Sequence, residues 1–217
     1  MNLARVLQFC EERIEVTIIV VLDKKMNSFT ILVLVLHLAS GQSSVSPLAR
    51  LRAKIPVDPV TNFSPVKIAG QYANPGKELI RRIGGALSGD VLYIFPDNTY
   101  VYCEWADIMP TTIFDKGSWD LSDGVLKLTS SPEITWNPMV ERRFLVVHRR
   151  SQAAEILLVG IDKQLPNFEE QAGDDPETML LIVAKQREST ISQAKAAQVK
   201  AKLIRESWRP DYFRKQP

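Results

Sequence analysis

The chain has 217 residues, 27 Lys or Arg against 25 Asp or Glu, and only two cysteines and two histidines. A net charge of +2 selects no class of partner, the length suits one cored domain with appendages, and CxxC or HxxxH spacing is absent. Structural zinc and a disulfide framework are therefore excluded at the outset.

Residues 29–39 (FTILVLVLHLA) form an apolar run too short for a bilayer span, which needs about 20 residues. Lys24 and Lys25 precede it and Ala39-Ser40-Gly41 follows, so the pattern is that of a signal peptide cut after Gly41. A buried strand or a single membrane anchor is the competing reading, because residues 14–22 add a second apolar run. Asp23, Lys24 and Lys25 keep the two runs apart. Met26 is an alternative start, at the cost of both lysines. Cleavage removes Cys10 and His37, leaves 176 residues, and makes Cys103 and His148 the only cysteine and histidine of an expected secreted or periplasmic chain with no integral membrane span.

Residues 42–65, with Pro47, Pro56, Pro59 and Pro65 and no sustained period, predict an extended linker or surface strap. A first strand is expected over 66–72. Asn74-Pro75 then reads as a helix start, with Leu79, Ile80 and Ile83 on one face and Gly84-Gly85 as the stop. Glycines 84, 85 and 89 do not make a phosphate loop, because no Gly-Lys-Ser/Thr opens a helix there. Further strands are expected over 91–95, 99–105, 115–121, 125–130, 142–148, 155–161 and 179–185, separated by Pro-Asp-Asn, Asp-Lys-Gly and Ser-Asp-Gly turns. Residues 106–114, 131–140 and 162–177 are the expected longer loops. The total, about eight antiparallel strands, fits two packed sheets or a barrel.

From Glu188 the composition turns to Ala, Gln, Lys and Ile, and a helix is predicted over 189–208, with Ala197, Ile204 and Trp208 near one face and Val199 and Leu203 beside it. The segment from Lys185 holds nine basic and three acidic residues. A helix packed on its own domain is the expected arrangement. A partner-binding helix contacting an envelope protein is the alternative.

Gly70-Gln71-Tyr72, the stretch 92–100 (LYIFPDNTY), Gly117-Ser118-Trp119 and the stretch 123–128 (DGVLKL) occur in an order that resembles the small lipocalin-like (calycin-type) domains of exported proteins. The resemblance spans residues 70–128. Tyr72 stands where that pattern has Trp and Asn98 where it has Gly, and Asn tolerates the positive φ the turn requires. What the resemblance implies is a mainly β fold, an antiparallel up-and-down barrel or half-barrel over residues 66–186. It transfers no catalytic residue and implies no cofactor.

Candidate chemistry is sparse. Glu104 and Asp107 could act as paired carboxylates only across a defined cleft, and His148 lacks a Gly-x-Ser-x-Gly partner. Cys103 reads as a buried structural thiol. Arg142, Arg143, Arg149 and Arg150 cluster, but no nucleic-acid motif accompanies them and an export signal argues against that role. The aromatic supply, Tyr93, Phe95, Tyr100, Tyr102, Trp119 and Trp136, either fills a barrel or lines an apolar cavity. The leading expectation is a non-enzymatic exported domain binding a small apolar or amphipathic ligand through these six residues. The alternatives are a filled-barrel interaction module of the envelope and, third, a hydrolase using Glu104, Asp107 and His148.

Overall fold

The computed structural model describes residues 5–11, 14–20, 34–36, 45–60, 64–132, 141–173 and 175–207, with backbone alone at 5–11, 14–20, 34–36 and 152–154. The chain divides into two units, Met1–Val45 and Ser46–Pro217. In the first, β1 (Arg5–Glu11) and β2 (Ile14–Val20) pair antiparallel from Arg5 opposite Val20 to Glu11 opposite Ile14, and β3 (Leu34–Leu36) adds to β2. The Ala39-Ser40-Gly41 site lies outside the described residues.

The second unit is a closed antiparallel barrel of eight strands. They are β5 (Gly70–Asn74), β6 (Ser88–Ile94), β7 (Thr99–Ala106), β8 (Met109–Ser122), β9 (Val125–Ser130), β10 (Arg143–Arg149), β11 (Gln152–Gly160) and β12 (Lys185–Thr190). Each pairs with its neighbour, and β12 returns to β5 to close the ring. A short β4 (Val57–Pro59) pairs with β10 outside the ring. The helices are α1 (Pro47–Arg52), α2 (Pro65–Ile68), α3 (Lys77–Ile83), α4 (Gln164–Gln171), α5 (Pro176–Val183) and α6 (Gln193–Glu206). No described helix is long and apolar enough to cross a membrane.

Local chemistry explains the turns. Asp123 (φ 51°) and Gly124 (φ 77°) form the two-residue connection between β8 and β9, the left-handed pair that such hairpins require. Asn98 (φ 60°) turns β6 into β7, and its carbonyl accepts from the Trp119 amide at 2.9 Å. Gly84 (φ 80°) ends α3, which supports the helix-stop reading of that glycine pair.

Three buried clusters follow from strand alternation. Inward side chains, among them Tyr72, Leu92, Tyr100, Trp119, Leu126, Phe144 and Leu158, form one continuous interior cluster. On the outer wall, Leu145, Val147, Leu157 and Val159 are covered by Leu51 of α1, Leu165 and Phe168 of α4 and Leu180 of α5. Burial on both faces is why β10 and β11 read as unbroken apolar runs. Elsewhere on the outer wall, Phe95, Cys103 and Ile113 lie beneath Ile191 and the α6 residues Ala196 and Leu203.

Several expected elements differ. Residues 42–65 are more than a linker: α1 and β4 lie within them, and Leu51, Ile55, Val57 and Val60 are buried. The first strand starts at Gly70 because Ser64 caps α2, accepting from the Lys67 amide at 3.3 Å. The Asn74–Pro75 peptide is cis and α3 begins at Lys77 behind Gly76. Residues 109–114 belong to β8 rather than to a loop, 162–177 contain α4, and the expected strand at 179–185 is mostly helix α5. The expected loop over 131–140 lies outside the described residues beyond Pro132.

Trp119 is 5% exposed, and its indole N–H donates to the Phe95 carbonyl at 3.0 Å. A Cβ on Gly117 would sit 2.0 Å from the Thr129 carbonyl oxygen of the adjacent strand. Trp119→Ala is expected to cost about 3–5 kcal/mol in equilibrium denaturation, and Gly117→Ala to destabilise by forcing β9 away. An unchanged unfolding midpoint in either variant would remove that residue from the core.

Candidate functional site

The six aromatic candidates do not converge. Tyr100, Tyr102 and Trp119 belong to the interior cluster, whereas Phe95 and Tyr93 lie on the outer wall beneath α6, their rings stacked with centroids 6.5 Å apart. Trp136 lies outside the described residues. Burial pushes the Tyr93 pKa up to about 12 and holds the interior tyrosines Tyr72, Tyr100 and Tyr102 higher still. These phenols stay neutral and act as packing and hydrogen-bonding groups.

The catalytic candidates are also dispersed. Glu104 accepts from the Tyr102 hydroxyl at 3.0 Å, Asp107 sits in the exposed β7–β8 turn, and His148 lies near the C-terminus of β10 with Nδ1 3.2 Å from the Arg149 carbonyl. In an up-and-down ring the C-termini of β7 and β10 fall at opposite ends, so His148 joins neither carboxylate. Burial pushes the Cys103 thiol up to about 12, which makes it a packing group rather than a nucleophile.

Inside the barrel, near the end where β7 and β9 finish, the Asp115 carboxylate is fully buried. Its Oδ2 accepts from Tyr100 Oη at 2.6 Å, Ser130 Oγ at 3.1 Å and Arg142 Nη1 at 2.8 Å, while Oδ1 has no partner among the described residues. Close by in the ring, Lys185 pairs with Asp90 and lies 5.5 Å from the Tyr102 ring centroid. The hydrogen bonds to Asp115 Oδ2 and the Lys185–Asp90 pair tie neighbouring strands together inside the barrel.

A cavity of about 580 Å³ opens on the outer wall instead. Val101 and Ile113 form its floor, Leu203 and Ile204 of α6 its roof, and Pro132 stands at its margin. Thr99, Tyr100, Lys116, Gly117, Ser118, Thr129, Ser130, Ser131 and Lys200 complete the described lining, with the Ser130 and Thr99 hydroxyls engaged by Asp115 and Asp97. The cavity exists because α6 turns Ala196, Val199 and Leu203 to the barrel, one position from the face expected, and leaves Ile204 at 59% exposure beside it. Lys200 anchors the helix: its Nζ is 2.5 Å from Asp97 Oδ2 and 4.7 Å from the Phe95 ring centroid. Burial opposes the Asp97 charge, but hydrogen bonds from Lys200 and Thr99 outweigh it and hold the carboxyl below its usual range.

Sequence reasoning places none of Lys116, Ser118, Thr129 or Lys200 in a binding site, since polar residues alternating on a strand, and a lysine beside the apolar stripe of a helix, read as solvated faces. The signal available was the apolar stripe of α6, which needs a strand face beneath it. No family model, curated protein or solved structure matches this chain. The class the geometry itself defines is a closed eight-stranded antiparallel β-barrel with a C-terminal helix on its outer wall, compatible with a lipocalin-like barrel.

A separate polar cluster holds the covering helices in place. Arg149, 4% exposed, donates to Glu78 of α3 at 2.5 Å, to Glu177 of α5 at 3.2 Å and to Glu155 of β11. The hydrogen bond from Arg149 lowers the Glu78 pKa. A carboxylate whose folded pKa is depressed stabilises the fold above its unfolded value, about 4.3, and loses that contribution as pH falls through the folded value. Arg149→Met should therefore destabilise the fold by about 1–3 kcal/mol, because it removes the buried guanidinium shared by three partly exposed carboxylates, and Glu78→Gln should flatten the acid side of a stability-against-pH curve. An unaltered curve in Glu78→Gln would separate Glu78 from acid unfolding.

Proposed function

We propose that the chain is an exported, non-enzymatic, lipocalin-like domain that binds a small apolar or amphipathic ligand in the groove between α6 and the outer faces of β7, β8 and β9. The observation that carries this reading is the groove itself, whose 580 Å³ lies within the about 300–1,000 Å³ usual for small-molecule sites. Its walls are mainly apolar, with hydroxyl and ammonium groups at the margin. The interior aromatics serve a different end, since they pack against one another. Export rests on the apolar run and the small residues of the leader.

A second reading, an interaction module, draws on Leu87, Ile108 and Met109, which are exposed at one end of the barrel. The two readings place the functional surface differently. Titration with 1-anilinonaphthalene-8-sulfonate should show one saturable site in the wild-type protein that Ser118→Trp abolishes and Phe144→Leu, an interior change, leaves in place. Dye binding that survives Ser118→Trp unchanged would remove the groove from the binding site. Material collected from the periplasm or medium should begin at or within a few residues of Gln42, and a retained Met1 or Met26 would refute export.

A further inference from the structure

The helix α6 is attached to the barrel unlike the other covering helices. Arg50 joins α1 to α4, its Nε donating to Glu169 Oε1 at 2.7 Å, and α3 and α5 share Arg149. The Glu141 carboxylate accepts from the amides of Lys163 and Gln164 where α4 begins. Of the 14 residues of α6, by contrast, Ala196 and Leu203 are buried and Val199 partly so. Among the described residues one polar tie runs from this helix to the barrel, Lys200 to Asp97, and the two side chains are 28% and 44% exposed. Ion pairs open to solvent hold weakly.

A pivot lies at the start of the helix. The Ile191 amide donates to the Ala69 carbonyl at 3.2 Å and its side chain is buried, which pins the chain up to that residue. Ser192 follows in an extended conformation (φ −77°, ψ 158°) and makes no side-chain bond to the first turn of α6. Rotation about Ser192 moves the helix as one piece and carries Leu203 and Ile204, the roof of the groove, farthest from the floor. It also uncovers Cys103, which is fully buried in the cluster that Ile191, Ala196 and Leu203 cover.

We infer that α6 is a hinged strap that pivots at Ser192 and is latched to the barrel wall by the Lys200–Asp97 pair, so that release of the latch widens the groove for a ligand. The link to a ligand rests on the groove reading above, whereas the strap rests on the contacts of α6 alone.

Alkylation of Cys103 by N-ethylmaleimide, in the full chain carrying Cys10→Ser so that Cys103 is the sole thiol, tests both parts. Asp97→Asn keeps the oxygen that accepts from Thr99 Oγ1 at 2.7 Å and removes the charge that meets Lys200. It should raise the labelling rate about three- to fivefold, and urea up to about 1 M should barely change either rate, as expected of a local opening that exposes little surface. In a Lys200→Met background the same substitution should add nothing, because its partner is already gone. The dye 1-anilinonaphthalene-8-sulfonate, at about ten times its dissociation constant, should slow labelling about tenfold by bridging wall and helix. Labelling that Asp97→Asn leaves unchanged, or that rises with urea as steeply as global unfolding does, would overturn the strap whatever the dye does. Labelling that Asp97→Asn accelerates and saturating dye does not slow would leave the strap standing and overturn the groove reading. Should Asp97→Asn not fold, Lys200→Met replaces it with a rise of at least the same size, since it also gives up the cation–π contact with the Phe95 ring.

Discussion

Closure of the sheet through β12 is the constraint on which the rest depends. An open β sheet exposes two edges of unpaired backbone groups, and a ring removes them. Here Lys185–Thr190 pairs with β11 on one side and β5 on the other. Once the ring is closed, every strand has one face on the interior and the other on the outer wall. The helices are sorted on that wall: α1, α4 and α5 over β10 and β11, α6 over β7 and β8.

This division explains why the interior polar groups are structural. Asp115, Tyr100, Ser130 and Arg142 satisfy one another near one barrel end, and Lys185 and Asp90 do the same beside Tyr102. Each group is committed to a neighbour on an adjacent or nearby strand, so the networks fix register. The outer groove differs in kind. It is bounded by a single helix lying on a strand face, held at one point by the Lys200–Asp97 pair, and its apolar surface is only partly covered.

Much of the barrel was legible in the sequence because its hairpins carry strong local signals. Asp123-Gly124 and Asn98 sit at the left-handed positions expected of them, and 125–130 is a strand at the predicted bounds. The closing strand was not legible: Lys-Gln-Arg-Glu-Ser-Thr has no apolar alternation, and only its two neighbours make it a strand. The apolar stretch before it reads as strand by composition, although Asp175, whose carboxylate accepts from the Thr178 amide at 3.1 Å, and Pro176 at the first helical position mark a helix start. Short apolar runs do not distinguish strand from helix by period alone. The candidate site was hidden for a related reason. The aromatic residues point to the interior, while the groove joins residues of β7, β8 and β9 to α6 residues far away in sequence, which meet only when α6 docks.

The central claim is that the interior is a packed core and that the proposed site lies outside it. Intermolecular nuclear Overhauser effects between 1-anilinonaphthalene-8-sulfonate and methyl-labelled protein test this directly, because the two surfaces carry different methyls. Contacts are expected to Val101, Ile113, Leu203 and Ile204 and not to Leu92, Leu126, Val146 or Leu158. Contacts to the second set would place the ligand inside the barrel and contradict the claim.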